Sequence, residues 1–322
     1  MIINPPSAES LNEVALRLYF SAWSSLIGII HDFELHFDVP GSADDDEDTW
    51  AEERKEYLEA CQPELQSICT IVQQSNELAL KARICEVSPY LLLLKSEPKF
   101  STNGSDIEFS DLRTLDAVDL PGAVNTLSAR PLSDEFVQTY NLFRSLRNKV
   151  AHLGSANAVF TPEDLLKKML FQYQQLWPER MWLKEWVQAE SNTRLSYFHD
   201  YSNSSPYADV FAQWPLALKF IGKSDFKRLF GVAKFQRRYL CLSCFRLGTT
   251  DWNDLRSDPV HTAFLVKGAD RTCCFMCGEE VAVERSLCRQ DHCKGNVICT
   301  DPEGENDGIC LICGEDASGL AD

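Results

Sequence analysis

The sequence predicts a mainly α-helical chain. An N-terminal antiparallel helical bundle is expected over residues 1–200, a basic and aromatic connecting segment over 201–240, and a small cysteine-rich domain over 241–322. Three observations carry that prediction. Apolar residues recur at the helical period, between recognisable caps, through the first 190 residues. Ten of the thirteen cysteines fall within residues 241–313. Between these regions, Asp200-Tyr-Ser-Asn-Ser-Ser-Pro206 has the composition of a linker.

At 322 residues the chain is long enough for two cores, and 44% hydrophobic with 25% charged residues suits a soluble globular protein. A formal charge of −17 argues against coating nucleic acid through the whole surface, while leaving room for a local basic site. No secretory signal is evident. The apolar run 19–30 covers 12 residues, has no small-residue cleavage region after it and is too short to span a bilayer. A cytoplasmic protein without a membrane partner is expected.

Ser10 and Glu13 read as a capping box ahead of a helix over about 11–36, with Leu11, Val14, Leu18 and Ile29 on its apolar face. Asp44-Asp45-Asp46-Glu47-Asp48 reads as a solvated acidic loop. Helical patterns resume at 49–60 and, after Pro63, run through 64–96; Cys61, Cys69 and Cys85 within them read as small buried residues. Residues 97–110, with Pro98, Asn103 and Gly104, read as a loop. Ser133 caps the next helix and Gly154 ends it. Thr161-Pro162 opens a helix running to about 176, Trp177-Pro178 bends the chain, and Met181, Trp182, Trp186 and Val187 continue an apolar face to about 190.

The helix after Ser133 carries chemistry as well as packing. Tyr140, Phe143, Arg147 and Val150 share an apolar sector, with Leu146 and Leu153 at its edge. A guanidinium in that sector needs a partner or an interface. Arg144, Asn148 and His152 form a second row at helical spacing. An imidazole can move protons near neutral pH, and a guanidinium can hold a phosphate by two parallel hydrogen bonds. The plainer reading is an amphipathic helix whose Arg147 snorkels out of the core. Arg147-Asn148-Lys149-Val150-Ala151-His152, closely followed by Gly154, resembles the motif of the HEPN superfamily, with Leu153 standing where many members place glycine. The resemblance spans about a dozen positions. It implies a HEPN-like helical bundle and a metal-independent endoribonuclease acting as a homodimer, with Arg147, Asn148 and His152 as its site residues.

From Lys219 to Arg246 the chain carries eight basic residues and one acid, interleaved with Phe220, Phe226, Phe230, Phe235 and Tyr239. Such a mixture suits a single-stranded nucleic-acid surface. It equally suits a helix with aromatics inside and lysines in water. On the first reading Arg144, Lys149, Lys227, Arg228, Arg237 and Arg238 bind RNA.

Four cysteine pairs follow: Cys241/Cys244, Cys274/Cys277, Cys288/Cys293 and Cys310/Cys313. Cys-x2-Cys spacing presents two sulfurs to one tetrahedral ion, and Zn2+ prefers thiolates. Cys274-Phe-Met-Cys-Gly-Glu is echoed by Cys310-Leu-Ile-Cys-Gly-Glu, as expected of two equivalent knuckles. Two structural zinc ions are predicted, held sequentially or in a cross-braced arrangement. His292 or Cys299 can substitute for Cys293, and Cys273 has no assigned role. His261 reads as a loop residue. An iron–sulfur cluster is the lesser metal alternative. Residues 278–322 hold eleven acids against three bases, which suits contact with another protein better than with phosphate. The combined expectation is an RNA endonuclease of toxin or antiviral-defence type. The rivals are a non-catalytic RNA- or protein-binding zinc-ribbon adaptor with a degenerate bundle, and an acidic regulatory protein.

Overall fold

The computed structural model describes residues 1–37, 47–94, 106–153, 159–200, 203–251, 259–302 and 304–318. The chain is mostly helical with a small antiparallel sheet toward its C-terminus, and it divides into two compact units, Met1–Pro178 and Glu179–Asp322.

The first unit contains α1 (Ala8–Phe37), α2 (Glu47–Ala60), α3 (Gln62–Cys85), α4 (Leu120–Leu127), α5 (Asp134–Leu153) and α6 (Pro162–Leu176). Two short parallel strands, β1 (Ile2–Ile3) and β2 (Ile107–Glu108), pair with Ile2 opposite Ile107. The helix shared by the others is α3, which packs on α1, α4, α5 and α6. Its residues Leu65, Ile68, Val72, Ala79, Leu80 and Ile84 are buried, and so are Gln73, Ser75, Asn76 and Arg83, as expected of a helix enclosed on nearly every side. Two of these buried polar groups bond to neighbouring backbone. Ser75 Oγ donates to the Ala15 carbonyl at 2.7 Å, and Arg83 donates to the carbonyls of Leu176, at 2.9 Å, and Gln175. Burial foremost, then Arg130, lowers the pKa of Arg83 below its ordinary value.

Caps place several boundaries. Ser133 Oγ accepts from Phe136 N at 3.2 Å, and Thr161 Oγ1 accepts from Asp164 N at 3.3 Å, with Pro162 opening α6. At the start of α1 the capping residue is Ser7, whose Oγ accepts from Ser10 N at 3.0 Å, so Ser10 and Glu13 lie within the helix. The helix α3 stops at Cys85 because Ser88, which precedes Pro89, is extended at φ −168°; a 3-10 turn, Pro89–Leu93, follows. Glu47 and Asp48 belong to α2, while the rest of the expected acidic loop lies outside the described residues. In the expected 97–110 loop, residues up to 105 also lie outside them, and the end carries β2 and buried Phe109. Among the described residues α1 is long and apolar enough to cross a membrane, yet more than half of its apolar window is buried, with Ala15, Tyr19, Trp23 and Leu26 fully enclosed.

The second unit contains α7 (Trp182–Glu190), α8 (Pro206–Phe220), α9 (Lys223–Phe230) and α10 (Leu242–Gly248). Its strands are β3 (Arg238–Tyr239), β4 (Ala263–Leu265), β5 (Arg271–Cys274), β6 (Glu280–Glu284) and β7 (Ile298–Cys299), hydrogen-bonded in sequence order with antiparallel neighbours. The core is aromatic. Trp182 and Trp186 lie 5.2 Å apart, Trp214 and Phe230 5.8 Å, and Phe226 and Phe230 4.6 Å. Phe275 joins this cluster at 4.8 Å from Phe230. Because α7 shares that core, the division between units falls at Pro178–Glu179, ahead of the linker-like 200–206 stretch. Part of that stretch is a capped helix start, with Ser205 Oγ accepting from Ala208 N at 3.0 Å.

Candidate functional site

Two sets of four cysteines converge in the second unit. Cys241 precedes α10, Cys244 lies on it, Cys274 ends β5, and Cys277 lies in the turn before β6. Cys241 and Cys277 sulfurs stand 3.6 Å apart, and Cys244 and Cys274 sulfurs 3.8 Å apart. The second set joins Cys288 and Cys293, after β6, to Cys310 and Cys313, with Cys288–Cys313 at 3.9 Å and Cys293–Cys310 at 3.8 Å. In each set all ligand atoms lie within 4.8 Å of one another. Metal–sulfur bonds of about 2.3 Å, arranged tetrahedrally, require sulfur–sulfur edges of about 3.8 Å. Both sets therefore have the size to hold a single metal ion each, and the pairing is sequential.

Local structure explains why the sulfurs meet. In the first knuckle Gly278 takes φ +84° and its N–H bonds the Cys274 carbonyl at 2.9 Å, while Cys274 N bonds the Glu279 carbonyl at 2.9 Å. The second repeats it: Gly314 at φ +77° bonds the Cys310 carbonyl at 2.8 Å, and Cys310 N bonds that of Glu315 at 2.9 Å. Backbone amides stabilise negative sulfur: Met276 N reaches Cys274 Sγ at 3.3 Å, Glu279 N reaches Cys277 Sγ at 3.4 Å, and Gly295 N reaches Cys293 Sγ at 3.2 Å. Hydrogen bonds from Cys241 foremost, with Cys244 and Cys277, hold the Cys274 thiol well below its usual range; the same network pushes Cys244 up. The Cys241 thiol donates to Glu279 Oε2 at 3.3 Å, a proton that metal binding displaces.

The other candidates fall outside the two sets. Cys299, the last residue of β7, is buried, its pKa pushed up to about 11 by burial and then by Asp301. Burial, then Glu280, raises Cys273. His292 is exposed and lies 3.4 Å from Glu315, beside Cys313. His261 is anchored in its loop by Nε2, 3.0 Å from the Ile312 carbonyl.

The first unit holds a different assembly. On α5 the buried stripe is Phe136, Tyr140, Phe143 and Leu146, with Arg147 and Val150 half-buried at its margin. Arg144, Arg147 and Asn148 line an open cavity of about 490 Å³ with Glu77 and Lys81 of α3 and Arg113, Thr114 and Asp116 ahead of α4. Arg147 Nη2 bonds Glu77 Oε1 at 2.7 Å, and Gln73 Nε2 reaches the same oxygen at 3.1 Å. Arg113 pairs with Asp116 at 2.7 Å, and Lys81 donates to Thr114 at 3.1 Å. Arg147 thus finds its partner within its own chain. Lys149 is exposed. The backbone of His152 continues α5, but its side chain, like Gly154, lies outside the described residues. Glu77 and Lys81, one helical turn apart on α3, escaped the sequence reading because their neighbourhood is made by tertiary packing alone.

In the 219–246 segment Phe226, Phe230 and Tyr239 are buried, whereas Phe235 is 76% exposed. Lys227 and Arg228 are exposed on α9, and Arg228 is paired with Asp225 at 2.6 Å. Arg237 is exposed, and burial lowers the pKa of Arg238 below its ordinary value. On α9 the aromatics therefore lie inside and the cations face water. Compared with known protein families, with curated proteins and with solved structures, the chain matches none.

Proposed function

We propose that the chain is a metal-independent endoribonuclease of HEPN type, of a toxin or antiviral-defence kind, built on a helical bundle with a structural zinc-ribbon tail. The observation that carries the reading is the first-unit cavity, where Arg144, Arg147, Asn148, Lys81 and Arg113 surround one space in a chain of net charge −17. In the proposed reaction a ribose 2′-hydroxyl attacks the adjacent phosphate. The bond to the 5′ oxygen breaks, leaving a 2′,3′-cyclic phosphate and a 5′-hydroxyl. His152 moves the proton, Arg147 holds the phosphate as charge grows on it, and Asn148 orients the two. Lys149, Lys227, Arg228, Arg237 and Arg238 are assigned to the strand. The family resemblance adds a homodimer with α5 at its interface; light scattering at micromolar concentration should give twice the chain mass, and a fully active monomer would contradict it.

Each cysteine set is assigned one Zn2+. A fully thiolate site leaves no open position, so the ion supplies structure rather than catalysis. The acidic 278–322 region is left for a protein partner.

A second reading draws on the Arg147–Glu77 bond, which gives Arg147 a structural task within α5 and α3. The chain would then be an adaptor that holds RNA or protein without cutting. Cleavage of total RNA separates the two. It should survive brief EDTA treatment that leaves the cysteine sites loaded, and fall about a hundredfold or more in Arg147→Ala and His152→Ala. Wild-type cleavage by either folded variant would leave the adaptor reading.

A further inference from the structure

A second hollow, of about 460 Å³, belongs wholly to the C-terminal unit and is lined by Trp214, Lys234, Phe235, Arg237, Arg238 and His261, among others. Its volume is in the range of small-ligand sites, about 300–1,000 Å³. What distinguishes it is how its cations are held. Lys234 Nζ donates to the Ile221 carbonyl at 2.7 Å, Arg238 Nη1 to that of Lys234 at 3.1 Å, and Arg237 Nη2 to that of Lys294 at 3.3 Å. Lys223 lies 4.9 Å from the centre of the Phe235 ring. Among the described residues none of these four cations pairs with a carboxylate. Elsewhere arginines do: Arg130 with Glu86, Arg147 with Glu77, Arg180 with Glu185.

In a chain with 48 acids and 31 bases, three cations lining one hollow, with Lys223 close by and no carboxylate paired to any of them among the described residues, make a place that favours an anion. Burial first, then Arg238 and Lys223, lower the pKa of Lys234 below its ordinary value, so a bound anion relieves an existing repulsion. Phe235 narrows the chemistry. Its ring is 76% exposed at the rim, with Lys223 against it, and a solvent-facing ring beside cations suits stacking of a base whose phosphate the cations hold.

We infer that this hollow grips one nucleotide of a single-stranded RNA, with the base on Phe235 and the phosphate among Lys234, Arg237 and Arg238. This deepens the reading of the chain as an RNA-cutting protein, on which it rests, by giving the substrate a holding site made of other residues than Arg147 and His152.

The test is fluorescence anisotropy of the full chain with a short labelled 2′-O-methyl single strand, which lacks the attacking hydroxyl and so reports binding without cleavage. Phe235→Ala should weaken binding by about tenfold. Arg237→Gln should lower the slope of log affinity against log salt by about 0.7. Both side chains are exposed, so metal content and circular dichroism should be unchanged. A duplex of the same sequence should compete poorly. Displacement of the strand by adenosine monophosphate at equal phosphate concentration would overturn the strand assignment in favour of a free nucleotide. Unchanged binding in both folded variants would remove the site. If Phe235-dependent binding persists in a protein that never cuts RNA, the catalytic reading fails and this one stands.

Discussion

Gly295 shows how much one side chain can decide. A Cβ there would stand 2.5 Å from Cys310 Sγ and 3.1 Å from Cys293 Sγ, so the second cysteine set closes only around a glycine. Gly295→Ala should lower the metal content from two ions to one per chain, measured by elemental analysis; two retained ions would show that the loop relaxes. Six of the eight cysteines could be named from Cys-x-x-Cys spacing, since that spacing makes the turn that aims two sulfurs together; Cys288 and Cys293, with four residues between them, were named as the remaining pair, with His292 or Cys299 as substitutes for Cys293. Their pairing could not, because the turn following β5 delivers Cys274 and Cys277 to Cys241 and Cys244. Glu77 was equally out of reach: it meets Arg147 across 70 residues of sequence. Removing it leaves a half-buried guanidinium without its anion. Glu77→Ala should cost about 1.5–3 kcal/mol of stability by denaturant unfolding. A change within a few tenths would mean that water serves Arg147 as well as the carboxylate does.

Elements were legible where a cap and a period coincide. Thr161-Pro162 and Ser133 marked the starts of α6 and α5 because hydroxyl capping is local chemistry. Thr161→Ala should cost about 1 kcal/mol, read from the denaturation midpoint at unchanged slope. Ser10 misled because Ser7, immediately after Pro5-Pro6, caps α1 first. The end of α3 was overrun because its apolar period persists past Cys85 into a 3-10 turn that keeps Leu92 buried. No alternation announced the sheet, as its strands are two to five residues long.

For the whole molecule, apolar pattern alone extended the first unit to about residue 200. Trp182 and Trp186 belong instead to an aromatic core that ends in Phe275, inside the first metal knuckle. The second set is tied in through backbone, with Leu240 N bonding the Leu311 carbonyl at 2.8 Å. Metal loss should therefore disorder the second unit. Thiolates must be free of protons to hold a metal, so the metal-free, unfolded tail binds more protons than the folded one. Metal-derived stability is then present at neutral pH and is lost as pH falls. Acidification with a strong chelator should erase the sheet and the near-ultraviolet signal of the Trp182–Trp214 cluster, while helical signal from the first unit persists. Simultaneous loss of both signals would show that the two units unfold as one.

The most direct test of the account is the chemistry of the ends it leaves on RNA. Purified protein incubated with a defined single strand, its products weighed by mass spectrometry, should yield 2′,3′-cyclic phosphate and 5′-hydroxyl ends with wild type and intact strand with His152→Ala. Intact RNA with wild type, 5′-phosphate ends, or the same products from the His152→Ala protein would contradict it.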